Sequence, residues 1–382
     1  MLPTSLYIHI PWCIRKCPYC DFNSHKSPEI LPEEHYIEAL IADLKNDLIY
    51  FPSREISSIF IGGGTPSLFR AQAYSELFAR IQQHLSFAKD IEITLEANPG
   101  TVEQSRFQAY KQVGINRLSL GIQSFNSQHL QALGRIHDDK QAHRAIEAAR
   151  LAGFDNINLD LMYGLPTQTI EQGINDLQQA LQYQPEHLSW YQLTIEPNTI
   201  FHKKQPTLPN EDVYDLLEQA AFSLLKDHDF IRYEISAFSK KNKMARHNLN
   251  YWLFGDYYGI GAGAHGKLTL DLKPTIYRTR KHRQPKDYLK KPHFAAKTEV
   301  SQDDLLFEFI LNTTRLYQPI ANNLFTERTG LAFAKLEVKL KEAQEKGLII
   351  LQDNYWQVSE LGHRYTNDLQ ALFLPKIKLA IR

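Results

Sequence analysis

The chain has 382 residues, of which 43 are lysine or arginine and 43 are aspartate or glutamate. A single hydrophobic core rarely grows beyond roughly 250–300 residues, so we expect two or three domains. The zero net charge gives no electrostatic reason to expect nucleic acid or an anionic membrane as the main partner. Because no apolar run is long enough to span a membrane and no signal-peptide pattern opens the chain, we expect a cytoplasmic protein with reduced thiols.

Six short apolar runs in the first half of the chain predict β-strands. They are residues 6–10, 56–61, 91–96, 117–121, 157–161 and 188–193. Nearly continuous apolar runs are typical of strands buried on both faces of a parallel sheet. Helical patterns separate the strands, such as Glu33–Tyr50 and residues 140–152, the second of which follows the N-cap candidates Asp138 and Asp139 and ends before Gly153. Six strand–helix units predict an α/β fold with a partial parallel barrel or an open sheet, with function at the carboxyl ends of the strands.

The pattern changes after residue 200. We predict a loop at 203–209, a helix at 212–227, strands at 231–238 and 274–278, and a flexible glycine-rich turn at 259–266. The polar stretch 278–297 is the predicted boundary, which gives a core at 1–205, an accessory α/β region at 206–290 and a C-terminal domain at 298–382. In the last domain, helices at 302–312, 320–326 and 332–346 precede a hairpin of strands 348–351 and 356–358. This order resembles a winged helix, for which the neutral charge favours a packing role over DNA binding.

All three cysteines lie in one segment, Cys13-Ile14-Arg15-Lys16-Cys17-Pro18-Tyr19-Cys20. Cysteines this close in a reducing compartment point to a metal rather than to disulfides. Structural zinc sites usually have four protein ligands, and iron–sulfur clusters are usually held by four thiolates. Three thiolates would leave one iron open to a ligand that is not protein, which indicates a reactive cluster. The alternative is a chance grouping of three thiols in a loop.

The Cys-x3-Cys-x2-Cys spacing behind a strand resembles the signature of the radical S-adenosylmethionine (SAM) superfamily. This resemblance implies that Cys13, Cys17 and Cys20 hold a [4Fe–4S] cluster and that SAM binds the iron that has no cysteine ligand. The flanking sequences, from Tyr7 to Cys13 and Cys20-Asp21-Phe22, are similar to those of oxygen-independent coproporphyrinogen oxidases and of the related HemW-like heme chaperones. Phe22 stands where the oxidases have a further cysteine, and we expect no oxidase-type extension before Tyr7. Both features favour the chaperone subgroup.

A glycine-rich turn, Gly62-Gly63-Gly64-Thr65-Pro66, follows the second predicted strand. Glycines allow a backbone to approach a ligand closely, although a tight strand-to-helix turn explains them equally well. No Gly-Lys-Ser/Thr follows, so the turn is not a P-loop.

Polar side chains also stand in or after other apolar strands, namely Glu96, Gln123 and Asp160. A carboxylate in a buried strand is costly unless it is paired or bound to a cation. The family resemblance implies that these residues and several others contact SAM: Tyr7, Tyr19, Gly63, Gly64, Thr65, Glu96, Gln123, Arg135 and Asp160. Five of them (Gly64, Thr65, Gln123, Arg135 and Asp160) have been linked to a second SAM in the oxidases. A salt bridge at a helix terminus is the alternative for Arg135, and ordinary packing is the alternative for Tyr19.

The segment His247-Asn248-Leu249-Asn250-Tyr251-Trp252 combines a histidine with aromatic residues. Neutral imidazole is an axial ligand of heme iron, and aromatic rings can pack on a flat macrocycle. One histidine among fifteen is usually not a ligand. However, the His-Asn-x-x-Tyr-Trp pattern is similar to a HemW-type signature, and this resemblance implies that His247 binds heme.

The resemblance therefore implies a heme chaperone that binds a [4Fe–4S] cluster, SAM and heme, and that delivers heme to an acceptor protein such as a membrane-bound respiratory enzyme. A homodimer and a peripheral membrane association are compatible with this interpretation. The alternative is an oxygen-independent coproporphyrinogen III dehydrogenase, which would carry out radical SAM oxidative decarboxylation. A third hypothesis, a structural or nucleic-acid-binding protein, is disfavoured by the neutral charge.

Overall fold

The structure is a computed structural model that describes residues 2–101, 104–270 and 275–375. The strands are β1 Thr4–Ile10, β2 Trp12–Cys13, β3 His25–Lys26, β4 Ile56–Gly63, β5 Phe87–Ala97, β6 Arg117–Gln123, β7 Ile157–Tyr163, β8 His187–Gln192, β9 Ile231–Glu234, β10 Ala237–Ser239, β11 Asp256–Ile260, β12 His265–Leu270, β13 Thr275–Lys281, β14 Phe294–Glu299, β15 Ile320–Ala321, β16 Ile349–Leu351 and β17 Tyr355–Val358. The helices are α1 Glu33–Tyr50, α2 Ala71–Ile81, α3 Gln104–Gln112, α4 Ser127–Ala132, α5 Asp139–Leu151, α6 Ile170–Gln182, α7 Ile200–Lys204, α8 Glu211–Asp227, α9 Arg246–Trp252, α10 Pro285–Lys290, α11 Gln302–Thr313, α12 Asn322–Thr329, α13 Ala334–Glu345, α14 Glu360–Arg364 and α15 Thr366–Ala371.

One large sheet forms the centre of the molecule. Its order is β14-β13-β12-β11-β1-β4-β5-β6-β7-β8-β10-β9. The six strands predicted from apolar runs are β1, β4, β5, β6, β7 and β8, and all five neighbouring pairs among them are parallel. This arrangement confirms the parallel α/β prediction. Helix α1 has its predicted bounds, and α5 begins at a capping box in which the Asp138 side chain accepts from the backbone of Gln141.

A seventh parallel strand, β11, pairs with β1 and was missed. It lies partly in the glycine-rich stretch 259–266, which was interpreted as a flexible turn. Gly259 is part of the strand, because a Cβ at this position would lie 1.8 Å from the carbonyl oxygen of His265 in the neighbouring β12. Here glycine allows two strands to approach closely, and the turn itself is confined to the four residues between β11 and β12.

Residues from five consecutive strands line one cavity, with Gly63 on β4, Glu96 on β5, Gln123 on β6, Asp160 on β7 and Tyr191 on β8. Strands β14 and β9 are the two edges of the sheet. The closure of the parallel strands into a partial barrel stays a prediction.

Between residues 200 and 300 the structure differs from several of the predicted elements. The predicted strand 231–238 is a hairpin of β9 and β10, and the predicted loop 203–209 begins inside α7. The predicted strand 274–278 is β13, which runs from Thr275; Pro274 lies outside the described residues. The polar stretch 278–297, which is the predicted domain boundary, contains α10 and parts of β13 and β14, the two strands that extend the large sheet there. Its polar side chains are used internally: Lys281 is buried in ion pairs with Asp43 and Asp47 of α1.

The C-terminal helices and β15–β17 enclose a second hydrophobic core. Phe309 and Trp356 are buried there together with Phe254 and Ile276, which come from the preceding region. The predicted helix 320–326 begins instead as β15, which pairs with β17 and adds a third strand to the predicted hairpin. The limits 1–205, 206–290 and 298–382 remain predictions. None of the helices in the described part of the chain has the length and apolar character needed to cross a bilayer.

A buried cluster of charged side chains around Asp256 links β11 to β12 and to Arg54, which precedes β4. Asp256 accepts from Arg54 Nη1 at 2.5 Å, from Lys267 Nζ at 2.7 Å and from the backbone nitrogen of Thr269 at 2.7 Å. Burial alone would raise the pKa of Asp256, but Lys267 and Arg54 outweigh burial and lower it. The carboxylate is therefore charged and compensates the buried ammonium of Lys267.

We predict that Asp256→Ala lowers the free energy of unfolding by about 3–5 kcal/mol, because it removes the carboxylate that neutralises a buried lysine. Urea unfolding followed by circular dichroism measures the effect. Asp90→Ala is the matched control, since Asp90 pairs with Arg246 at the surface and should leave the transition nearly unchanged. Equal unfolding midpoints for the two variants would contradict the prediction.

Candidate functional site

The cysteine segment begins behind β1 of the large sheet, in the short strand β2, which pairs only with β3. Cys13 ends β2, and its carbonyl oxygen accepts from Ser27 N at 2.8 Å. Cys20 N donates to the carbonyl oxygen of Cys17 at 3.2 Å, which closes a turn between the last two cysteines. All three thiols are free, half-buried, and line one cavity of about 470 Å³. A volume of this size is in the range of small-molecule sites.

The three thiols suit a cluster better than a single metal ion. No three His, Cys, Asp or Glu side chains within the described ranges converge on one ion position. In an iron–sulfur cluster each thiolate binds a different iron, so the sulfurs need only share a cavity. Burial raises the pKa of Cys13 and Cys20, and hydrogen bonding to Ser24 lowers it in part. The donor set could therefore hold a [4Fe–4S] cluster with one open iron.

The glycine turn after β4 lies against the segment that enters the cysteine loop. Gly64 N donates to the carbonyl oxygen of Ile10 and Thr65 N to that of Trp12, both at 2.7 Å. A Cβ on Gly64 would lie 2.5 Å from Trp12 O, and Gly63 has φ +115°. These contacts require glycine whether or not a ligand binds. The turn also lines the cavity, and the close approach of a ligand to its glycines stays a prediction.

Two carboxylates face the cavity from β5 and β7. Asp160 accepts from Ser119 Oγ and Asn158 Nδ2, each at 2.8 Å. Glu96 accepts from Gly63 N at 3.1 Å. Burial, and then the charge of Asp160, raises the pKa of Glu96 to about 8. Two carboxylates in one buried cavity favour a cationic ligand, because a cation would stabilise their charged forms.

Arg135 completes the wall between the carboxylates and the cysteines. Its Nη2 donates to Asn98 Oδ1 at 2.5 Å and to Gly121 O at 2.9 Å, and its Nη1 lies 3.8 Å from Cys17 Sγ. The alternative of a salt bridge at a helix terminus is therefore wrong, since the guanidinium faces neutral acceptors and a candidate cluster ligand. Asn98 also donates to Thr65 Oγ1 at 3.1 Å, which ties three parts of the wall together.

Gln123 and Tyr191 form a further pair in the wall. The Tyr191 hydroxyl donates to Gln123 Oε1 at 2.8 Å. Gln123 has φ +69°, a left-handed conformation that is rare for a residue with a side chain and that recurs at binding sites. Asn98 and Tyr191 were missed by the sequence analysis. Both stand at the carboxyl end of a strand, so the rule that identified Glu96 could have found them.

The two tyrosines predicted to contact SAM lie in different places. Tyr19 lines the cavity and packs beside Phe201, with 6.3 Å between ring centroids. Tyr7 is not part of the cavity wall. Its hydroxyl is hydrogen-bonded to His9 Nδ1 at 2.9 Å, and its ring stacks beside Phe60. Any effect of Tyr7 on a ligand in the cavity would therefore be indirect, through neighbouring side chains.

His247 lies deeper still, against the first residues of β4. It is 1% exposed, and both ring nitrogens are hydrogen-bonded: Nδ1 to Ser58 Oγ at 3.1 Å and Nε2 to Tyr251 Oη at 2.8 Å. Burial, and then the charge of Arg117, lowers the pKa of His247 to about 3, so the ring is neutral. In this arrangement the imidazole offers no free nitrogen to a heme. Its predicted role as an iron ligand would require one of these bonds to break.

Comparisons with known proteins agree with this geometry. The family model of the radical SAM superfamily matches residues 7–180, and that of the HemN C-terminal domain matches residues 300–365. The solved structure of the coproporphyrinogen III oxidase HemN from Escherichia coli superimposes with a TM-score of 0.81, covers 97% of this chain and 90% of its own, and is 21% identical, which establishes the fold. Fold and cavity define a radical SAM protein, a class that uses a [4Fe–4S] cluster and SAM.

Curated relatives define the family more closely. Proteins named heme chaperone HemW are 47% identical over 379 residues in Haemophilus influenzae and 46% identical over 373 residues in Escherichia coli, in each case across 97% of this chain and 98% of the relative. The Bacillus subtilis heme chaperone HemW is 32% identical across 98% of this chain and its own full length. The chain belongs to the HemW heme chaperone family.

We predict that the affinity for SAM rises with pH as Glu96 ionises around its pKa of about 8. A cationic ligand binds the carboxylate form better, so affinity should be lower at pH 6 than at pH 9. Equilibrium dialysis of radiolabelled SAM with the anaerobically reconstituted protein measures this dependence.

Glu96→Gln should weaken binding at pH 9 and flatten the pH profile. Glu38→Gln, at an exposed position on α1, is the matched control and should keep the wild-type profile. A pH profile that is the same in wild type and Glu96→Gln would show that Glu96 does not hold the cation.

Proposed function

We propose that this protein binds a [4Fe–4S] cluster, SAM and heme, and that it delivers the heme to an acceptor protein. The observation that carries the proposal is the similarity over nearly the full chain to relatives named heme chaperone HemW. The cavity supports the first part, because three thiols, a glycine turn and two carboxylates surround one space of suitable size. In this proposal the protein is cytoplasmic and associates peripherally with the membrane that holds its acceptor, a respiratory enzyme. A homodimer is compatible with it.

In the proposed complex each group of residues has a separate task. Cys13, Cys17 and Cys20 hold the cluster. The residues that hold SAM are Gly63, Gly64, Thr65, Glu96, Gln123, Arg135, Asp160 and Tyr19. The carboxylates take its cationic groups, and the glycine turn allows the backbone to come close. Tyr7 acts indirectly, by orienting His9 below the glycine turn. When bound, the cluster and SAM supply one-electron chemistry.

The alternative function, a coproporphyrinogen III dehydrogenase, has less support. The HemN likeness at 21% identity concerns the fold alone. Phe22 lines the cavity and is 64% exposed, at the position where the resemblance implies a further cysteine in the oxidases. Phenylalanine cannot provide a thiol there, so the cavity supports the chaperone function better.

Heme binding tests the proposal. Anaerobically reconstituted protein titrated with hemin should give a saturable change in the Soret band, and mixing the complex with apomyoglobin should move the heme to that acceptor. An unspecific, non-saturating change in wild type would sink the proposed function.

The same titration tests His247. If its imidazole binds iron, Tyr251 competes for Nε2; Tyr251→Phe should then raise the hemin affinity and His247→Ala should lower it. If His247 only joins α9 to β4, both variants keep the wild-type spectrum and both lose thermal stability, because each leaves a buried polar group without its partner.

A further inference from the structure

One buried serine side chain in the cysteine cavity has no task in the function proposed above. Ser24 lines this cavity and is 7% exposed. Its Oγ has no nitrogen or oxygen partner among the residues that the structure describes. Native proteins seldom leave a buried hydroxyl without such a partner, because the lost hydrogen bond costs free energy. In a cavity, the hydroxyl is satisfied when a bound group accepts from it.

The fold places Ser24 beside two of the three cysteines. Ser24 directly precedes β3, which pairs with β2, the strand that ends at Cys13. Burial raises the pKa of Cys13 and of Cys20, and hydrogen bonding to Ser24 is among the causes that lower the pKa of both thiols in part. One hydroxyl therefore lies close to the first and to the last thiol of the segment.

The preceding residue, Asn23, holds this part of the chain in place. Its Nδ2 donates to the carbonyl oxygen of Ala262 at 2.8 Å and to that of Arg283 at 3.0 Å. Its own carbonyl oxygen is hydrogen-bonded to His9 Nε2 at 2.8 Å. These bonds attach the end of the cysteine segment to β1, to the turn after β11 and to the chain after β13. The position of Ser24 is fixed by its neighbour.

The glycine-rich stretch 259–266 forms the surface on which Asn23 packs. Gly263 has φ +81°, and a Cβ at this position would lie 2.3 Å from Asn23 Nδ2. Gly261 has φ +107°, and a Cβ there would lie 2.4 Å from the carbonyl oxygen of His9. Glycine is required at both positions for Asn23 and His9 to come this close. The stretch thus supports the end of the cysteine segment from behind.

A hydroxyl beside a cysteine ligand influences the redox behaviour of a cluster. Reduction adds one negative charge to an iron–sulfur cluster, and hydrogen bonds to its sulfurs favour the more negative state. Arg135 brings a positive charge to the side of Cys17. Ser24 offers a neutral donor on the side of the other two thiols.

We propose that the Ser24 hydroxyl donates a hydrogen bond to a cysteine sulfur of the bound cluster, that of Cys13 or Cys20, and thereby raises the reduction potential of the cluster. Asn23 is the positioning residue that holds Ser24 at this place. The assignment rests on the [4Fe–4S] cluster of the proposed function and adds the residues that tune it.

Ser24→Ala tests the assignment in the full-length, anaerobically reconstituted protein. In a redox titration followed by visible absorption, the ratio of reduced to oxidised cluster should be about fivefold lower than in wild type at the same applied potential, because the reduced state loses a hydrogen bond. Ser24→Thr keeps the hydroxyl and should stay near wild type. Ser27→Ala is the matched control, since the Ser27 hydroxyl donates to the carbonyl oxygen of Pro28 at 2.9 Å and does not line the cavity.

Asn23→Ala tests the positioning role. It should shift the ratio in the same direction as Ser24→Ala, and the double variant should show little further shift, because both substitutions act through one hydroxyl. Additive shifts would show that Asn23 acts on the cluster by another route and would overturn its positioning role. Circular dichroism, together with the iron and sulfide content, verifies that each variant is folded and loaded.

The outcomes separate this assignment from the proposed function. If wild type takes up no cluster on reconstitution, both fall. If Ser24→Ala takes up the cluster and keeps the wild-type potential, or if Ser24→Thr shifts as Ser24→Ala does, the assignment alone is overturned. A cluster that forms with Ser24→Thr and not with Ser24→Ala would support the need for the hydroxyl. If neither variant takes up a cluster, the size of the side chain matters rather than its hydroxyl, and the assignment fails.

Discussion

The contact between the glycine turn after β4 and the backbone of Trp12 holds the functional part of this molecule together. Two backbone hydrogen bonds, from Gly64 to Ile10 and from Thr65 to Trp12, attach the turn to the segment that carries Cys13. A side chain at Gly64 would meet that backbone at 2.5 Å and push the two apart. Because the same turn donates from Gly63 to Glu96, it sets the cysteine segment and the carboxylates around one cavity. The parallel strands β7 and β8 then add Asp160 and Tyr191 to the cavity wall.

This cavity buries thiols and carboxylates, whose ionised forms need positive charge nearby. The thiols and carboxylates lose hydration on burial, which raises the pKa of Cys13 and Glu96. Arg135 brings one positive charge to the side of Cys17, but its other contacts are neutral oxygens. An iron cluster beside the thiols and a cationic ligand beside the carboxylates would compensate both groups. A cavity of this composition is therefore organised for cofactors rather than for the stability of the empty fold.

The sequence predicts those features that depend on local pattern. Apolar runs identified the six parallel strands, and cysteine spacing together with polar residues at strand ends identified six residues of the cavity wall: Cys13, Cys17, Cys20, Glu96, Gln123 and Asp160. The errors have long-range causes. The sequence suggested a turn at Gly259. Glycine is required there instead because the neighbouring strand β12 leaves no room for a Cβ. The role of His247 as a heme ligand stays a prediction, because the sequence does not reveal that Ser58 and Tyr251 are hydrogen-bonded to its ring nitrogens.

The measurement that tests the central claim most directly compares heme binding with porphyrinogen turnover in one anaerobically reconstituted sample. Coproporphyrinogen III, SAM and a reductant are added to one portion, and hemin is added to another. A HemW-type chaperone should bind hemin saturably and form no protoporphyrinogen. Protoporphyrinogen and methionine formed in stoichiometric amounts, without saturable hemin binding, would contradict this account.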